Sequence, residues 1–229
     1  MYFIFAKFNM VASTLFCQDN FILFIDEGFF FRLVFGNVYP LKPKEKRMDI
    51  KYHVETAWKL CIANALSLIL ITLVTAAVSI VSIGILAPVA FAGYTHSLLQ
   101  LMRVNREPRV QDIFSQLGLF LPLFVFTLII FVVSIIGFTI LVVPGLIFTL
   151  VVGYTCLYMI PLMVDRKYGV IDAVKKSTAM VTGSHITDHI IVFILFYALM
   201  TVGGSSFIGF LVLQPFATLF LLSVYEKTE

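Results

Sequence analysis

The one stretch of this sequence with metal-ligand spacing is His185-Ile-Thr-Asp188-His189, where two histidines at i and i+4 share a helix face with a carboxylate between them. The spacing superficially matches the H-x-x-E-H pattern of zinc hydrolases, with Asp in place of Glu. A hydrolytic zinc site also needs a third protein ligand and an open coordination position. The candidates are poor, because Cys156 falls inside an apolar run and His96 lies on another one. The favoured reading is therefore an interfacial helix start, with Ser184 or Thr187 near the cap and Asp188 favourable at the positive end of the helix. No metal or cofactor is assigned. The sequence also lacks a Ser/His/Asp set, a P-loop, a CxxC pair and a Gly-rich dinucleotide motif, so no enzymatic activity is expected.

A second set of groups is polar but sits deep in apolar sequence: Asn64, Tyr94, Thr95, His96, Tyr154, Thr155 and Gln214. Ion-coupled transport usually needs ionisable groups at such depth. Here the apolar segments hold no Asp, Glu, Lys or Arg apart from Asp188 at the start of one of them. The reading preferred over a substrate path is interhelical hydrogen bonding, each contact contributing less than about 1 to 2 kcal/mol.

The elements that position these groups follow from composition. Of 229 residues, 60% are hydrophobic and only 13% charged, about half the charge that clothes a soluble domain. From Leu60 onward the charges are gathered into clusters separated by three charge-free runs, Leu60 to Met102 (43 residues), Ile113 to Val164 (52) and His189 to Tyr225 (37). A span needs about 20 apolar residues to cross a hydrocarbon core of about 30 Å, so each run is a hairpin of two. Gly, Ser and Pro signals divide the runs into six spans, 60–80, 86–102, 117–137, 144–164, 186–202 and 207–225. The expected fold is an all-α integral membrane protein, with six transmembrane helices arranged as three hairpins.

The hairpin turns carry no charge, whereas the other connections hold Lys42 to Lys59, then Arg103, Arg106 and Arg109, then Arg166, Lys167, Lys175 and Lys176. The positive-inside rule makes that face cytoplasmic, with both termini inside. Two short amphipathic helices are expected in the headgroup region there. One carries Val110, Ile113, Phe114 and Leu117, the other Val170, Val174, Ser177 and Val181. Membrane lipid is the expected partner, with anionic lipid at the cytoplasmic face. The basic loops lack the sustained charge and interleaved aromatics of a nucleic-acid surface.

Residues 1–47 hold 10 of the 24 phenylalanines, but Lys7, Asp19, Asp26, Glu27 and Arg32 interrupt every apolar run before it reaches spanning length. The segment also lacks the basic start of a signal peptide. The reading is a non-spanning segment ahead of a native start at Met48, making 48–229 the membrane domain. Lys44-Glu45 is compatible with the codons AAG-GAG, a bacterial ribosome-binding sequence six nucleotides before a Met48 codon.

Sliding the chain by 60 residues aligns Gly93-Tyr94-Thr95 with Gly153-Tyr154-Thr155, and Val104, Arg106, Val110 and Asp112 with Val164, Arg166, Val170 and Asp172. Seven identities in twenty positions mark a parallel structural repeat of span, basic loop and short helix. Tyr94 lies nine residues before Arg103 and Tyr154 eleven before Asp165, placing both hydroxyls roughly 13 to 16 Å from the charged boundary. A hydroxyl at that depth needs a partner. Gly93 and Gly153 admit a close neighbour, so each tyrosine is expected to bond a backbone carbonyl or a side chain such as Asn64.

With Pro88, Pro108 and Asp112-Ile113-Phe114 beside the first Gly-Tyr, and Pro144-Gly145, Asp172-Ala-Val-Lys-Lys176-Ser177 and Gly183 in the second half, the chain resembles the YciC-like superfamily of bacterial six-span membrane proteins. That family is related to the membrane domain of some glycerophosphodiester phosphodiesterases. The resemblance covers about Met48 to Lys227. It implies an inner-membrane protein linked to envelope or lipid homeostasis, and no phosphodiesterase domain is present to carry that chemistry. The alternative is a transporter or channel for a small neutral or lipid-like substrate. Convergence of Asn64, His96 and Gln214 on a polar cavity would favour that alternative, and a packed interior the first reading.

Overall fold

The computed structural model of the chain describes residues 48–140, 142–183 and 186–228. The Phe-rich segment 1–47 with its expected start site, Ser184 and His185 lie outside the described residues. Within them the fold is helical throughout, with no strand. Nine α-helices follow in order: α1 Ile50–Ala63, α2 Ala65–Val81, α3 Ala87–Val104, α4 Phe120–Ile140, α5 Val142–Thr155, α6 Met159–Asp165, α7 Val170–Val181, α8 Ile186–Gly204 and α9 Phe207–Thr228. Two 3-10 turns, Val110–Phe114 and Leu117–Leu119, lie between α3 and α4.

Among the described residues four stretches are long and apolar enough to cross a membrane: Val110–Thr139, Gly145–Asp165, Ile186–Gly204 and Phe207–Thr228. A fifth arises if α1 and α2 count as one span bent by 90°. The chain is therefore a membrane protein by its helices as well as its composition. Large apolar side chains such as Leu121, Phe131, Val143, Phe207 and Ile208 are exposed along them, more apolar surface than a water-soluble monomer tolerates.

Two breaks depart from the sequence reading. The expected span 60–80 is interrupted at Asn64, where α1 turns into α2. The Asn64 side-chain amide donates to the Leu60 carbonyl at 3.2 Å, the local competition with helix bonding that short polar side chains offer. The expected span 144–164 matches the apolar stretch Gly145–Asp165 but carries an unexpected helix interruption at Cys156–Tyr158, between α5 and α6. Pro161 lies four residues past Leu157 and has no N–H to give it, so the ladder cannot run through unbroken.

The helix α3 fails the apolarity expected of a span, yet more than half of its residues are buried. It packs against α2, α4, α6, α9 and the Val110–Phe114 turn. Val89, Ala92, Tyr94, Ser97, Leu98 and Leu101 are all buried. A helix walled by protein has no need to be apolar all round, and its Tyr94, Thr95 and Ser97 are buried. Consecutive helices also pair, α2 on α3, α4 on α5 and α8 on α9. α4 and α5 cross so closely that a Cβ on Gly145 would meet the Phe138 backbone nitrogen at 2.7 Å.

The two segments expected as surface helices behave differently from each other and from that expectation. Val110–Phe114 is a 3-10 turn with Asp112 and Ile113 buried, while Phe114 and Leu117 are exposed. The Asp112 carboxylate faces inward because partners wait for it there. α7 is an α-helix with Ile171 exposed, but everything from Ser177 to Val181 is buried against its neighbours.

Candidate functional site

The polar side chains gather where the charge-bearing ends of α3, α6 and α9 meet. Arg103, in the last turn of α3, reaches both other helices. Its Nε donates to Glu226 Oε1 at 2.7 Å and its Nη2 to Asp165 Oδ2 at 2.9 Å, while Nη1 pairs with Asp165 Oδ1. Tyr225 donates to Asp165 Oδ2 at 3.0 Å. Those hydrogen bonds, Asp165 first, push the Arg103 guanidinium even higher than an ordinary arginine. A bidentate arginine with two carboxylate partners is a geometric tie between three helix ends.

The network continues inward. The Tyr225 and Tyr158 rings pack at 6.3 Å between centroids, and the Tyr158 hydroxyl lies 3.0 Å from His189 Nδ1. Tyr158 also sits at the α5–α6 break, where Ser177 of α7 bridges it. The Tyr158 N–H donates to Ser177 Oγ at 3.0 Å, and the Ser177 hydroxyl donates to the Thr155 carbonyl at 2.7 Å. One side chain thus satisfies a donor and an acceptor that the break would otherwise strand.

A second cluster lies beside α3. Asp112 Oδ2 accepts from Ser97 Oγ at 2.8 Å and from Arg106 Nη2 at 2.6 Å. The carbonyls of Asp112 and Ile113 press on Gly93, where a Cβ would come 2.5 Å from the Asp112 oxygen. Tyr94 is fully buried with its hydroxyl 3.2 Å from Thr72 Oγ1. Tyr154 is half-buried and donates to the Val181 carbonyl at 2.7 Å. A Cβ on Gly153 would meet the Phe193 ring, at 3.5 Å. Neither tyrosine bonds Asn64, which is occupied in its own bend.

Of the metal-spaced residues, Asp188 Oδ2 accepts from the Met48 backbone N–H at 3.2 Å and His189 faces Tyr158, while His185 lies outside the described residues. Among the described residues no group of three metal-ligating side chains converges.

Two openings adjoin these clusters. One, of about 260 Å³, is apolar and lies among α3, α5, α6, α8 and α9, with Phe91, Gly153, Cys156, Phe193, Tyr197 and Leu222 in its wall. The other, of about 500 Å³, is polar and lies between α1, α9 and the end of α3. His53 lines the polar one and precedes the first expected span. It is fully buried, with Nδ1 2.7 Å from Ser223 Oγ. Burial, and then the nearby Lys227, hold its pKa below the usual histidine range.

The charged tie was not anticipated from the sequence, although the repeat offers its signal. Arg103 and Asp165 are opposite charges that end the equivalent helices of the two copies. The contacts of His53 and Ser177 leave no comparable mark. No family model, curated protein or solved structure matches this chain.

Proposed function

We propose that the protein is a six-span component of the bacterial inner membrane, of the YciC-like type, with both termini cytoplasmic and a non-enzymatic role in lipid or envelope homeostasis. The observation that carries this reading is the contrast between the two kinds of interior group. Most of the polar side chains at depth bond neighbouring helices or their own backbone, as with Tyr94 on Thr72, Tyr154 on Val181, and Thr95 on the Phe91 carbonyl at 2.8 Å, while the buried Gln214 Oε1 has no partner among the described residues. The space between helices beside them is apolar and suits hydrocarbon. Asn64, His96 and Gln214 line neither of these two openings.

The six-span topology draws support from the charged tie. Arg103, Asp165 and Glu226 follow the second, fourth and sixth proposed spans, and the contacts of Arg103 with both carboxylates fit a topology that brings those three ends together. On this reading α3 is a span shielded from lipid, and α1 lies along the interface before the chain turns at Asn64. A second reading, carriage of a lipid-like molecule, is favoured by the apolar opening alone.

Reporter fusions after Arg109, Lys176 and Glu229 should read cytoplasm, and fusions at Gly84, Ile140 and Ser205 the opposite side. A reversed pair would overturn the topology. Lipid profiling of a deletion strain should show altered phospholipid composition. An unchanged lipidome together with loss of uptake of one compound would replace the proposed role by the second reading.

A further inference from the structure

The polar opening between α1 and α9 has the makings of a ligand site. His53 is fully buried, yet its Nε2 has no hydrogen-bond partner among the described residues. A buried polar nitrogen left unpaired costs free energy that a ligand oxygen would recover. When the Ser223 hydroxyl donates to Nδ1, Nε2 carries the ring hydrogen and is a donor. Around the same opening stand Lys227, Arg103 and the Thr56 hydroxyl. Lys227 Nζ lies 5.5 Å above the Tyr52 ring and has no carboxylate within ion-pair distance among the described residues.

Among the described residues the carboxylate lining the opening is Glu226, already held by Arg103 at 2.6 Å, so Lys227 adds a positive charge to the rim. About 500 Å³ is the size of a small-molecule site. Tyr52 and Trp58 are both more than half exposed on α1, as aromatic side chains are at a headgroup boundary.

We propose that this opening binds a phosphate group, with Lys227 supplying the charge and His53 Nε2 a hydrogen bond from beneath, and that the phosphate is carried by an anionic phospholipid. The proposal deepens the lipid role above by giving it a site. Its test uses purified full-length protein in nanodiscs, which have no sidedness, so it stands or falls separately from the topology.

Thermal unfolding would be followed while phosphatidylglycerol replaces phosphatidylcholine. The wild type should be stabilised in proportion to phosphatidylglycerol content. Lys227→Gln, a change at an exposed helix end, should need about fivefold more of that lipid for the same shift. Lys175→Gln, away from the opening but on the same basic face, measures the general attraction to anionic lipid and should raise the requirement by no more than about twofold. His53→Gln tests the buried donor. If that variant unfolds too early to compare, the His53 ring resonances of the wild type should move with added phosphatidylglycerol and stay put in Lys227→Gln. Inorganic phosphate forms a further arm. Saturation by millimolar phosphate in pure phosphatidylcholine, lost in Lys227→Gln, would keep the site but overturn the lipid as its source. Equal phosphatidylglycerol responses in wild type and Lys227→Gln would overturn the site itself.

Discussion

The two copies of the 60-residue repeat share seven residues but use them differently. In the first, α3 runs unbroken from Ala87 to Val104, Gly93 is clamped by the backbone of the following 3-10 turn, and Asp112 is buried on Ser97 and Arg106. In the second, the helix breaks into α5 and α6, Gly153 faces a flexible aromatic ring beside the apolar opening, and Asp172 is exposed in the first turn of α7. A single substitution accounts for much of this. Leu101 of the first copy stands where the second has Pro161, and without an N–H at 161 the helix yields near Leu157. The return segment then becomes the longer α7, which brings Ser177 to the break. Identity at a repeat position thus preserves backbone geometry only as far as the next difference that removes a hydrogen bond.

The largest effect that would separate the copies is at their glycines. In Gly93→Ala the added methyl falls on the carbonyls of Asp112 and Ile113, and backbone cannot move aside as a side-chain end can. A loss of about 3 kcal/mol is expected, the upper range for overpacking, seen as a lower melting temperature in detergent or failure to accumulate. Gly153→Ala meets the Phe193 ring at ordinary van der Waals distance, and alanine is the better helix former by about 1 kcal/mol. It should be neutral or slightly stabilising. Equal losses in the two variants would mean that the copies are packed alike.

A smaller effect sharpens the role of the break. Ser177→Ala strands the buried Tyr158 N–H and Thr155 carbonyl, and about 2 kcal/mol should be lost. In a Pro161→Ala background the N–H at 161 returns and the helix can close across residues 156–158, as α3 does at the equivalent positions. Tyr158 and Thr155 then find partners within their own helix, and the same Ser177→Ala change should cost under about 1 kcal/mol. A double-mutant cycle measures the difference. Additive losses would show that Pro161 is not the cause of the break.

Much of this architecture was legible in the sequence, for identifiable reasons. Charge-free runs of membrane length mark apolar helices directly, and the Gly203-Gly204-Ser205-Ser206 signal placed the α8–α9 turn within two residues. The breaks were not legible from charge spacing. Asn64 carries no charge to end a run, and Pro161 sits inside the expected span 144–164, where proline is tolerated if a neighbour re-satisfies the backbone. Ser177 does that, and its role depends on α7 folding back, which residue spacing does not encode. Gly93 was legible as a point of close approach, but the partner is the turn that follows α3, brought there by Asp112 seeking Ser97.

The smallest effect concerns the tyrosines, and burial alone ranks it wrongly. Tyr94 is fully buried and Tyr154 only half-buried, so Tyr94→Phe would be expected to cost more. The partners reverse that order. Thr72, which faces the Tyr94 hydroxyl at 3.2 Å, also donates to its own Leu68 carbonyl at 2.7 Å, so removing the tyrosine hydroxyl leaves Thr72 bonded. Tyr154 instead donates at 2.7 Å to the carbonyl of Val181, the last residue of α7, where helix carbonyls have no partner further along the same helix. Val181 is buried, so Tyr154→Phe takes away a bond that water cannot readily replace. Tyr154→Phe should therefore cost about 1 kcal/mol and Tyr94→Phe about half that, read as melting temperatures in the same detergent. A larger loss at Tyr94 would mean that its hydroxyl carries more than the Thr72 contact, and that the first copy is held by a polar tie as well as by its glycine.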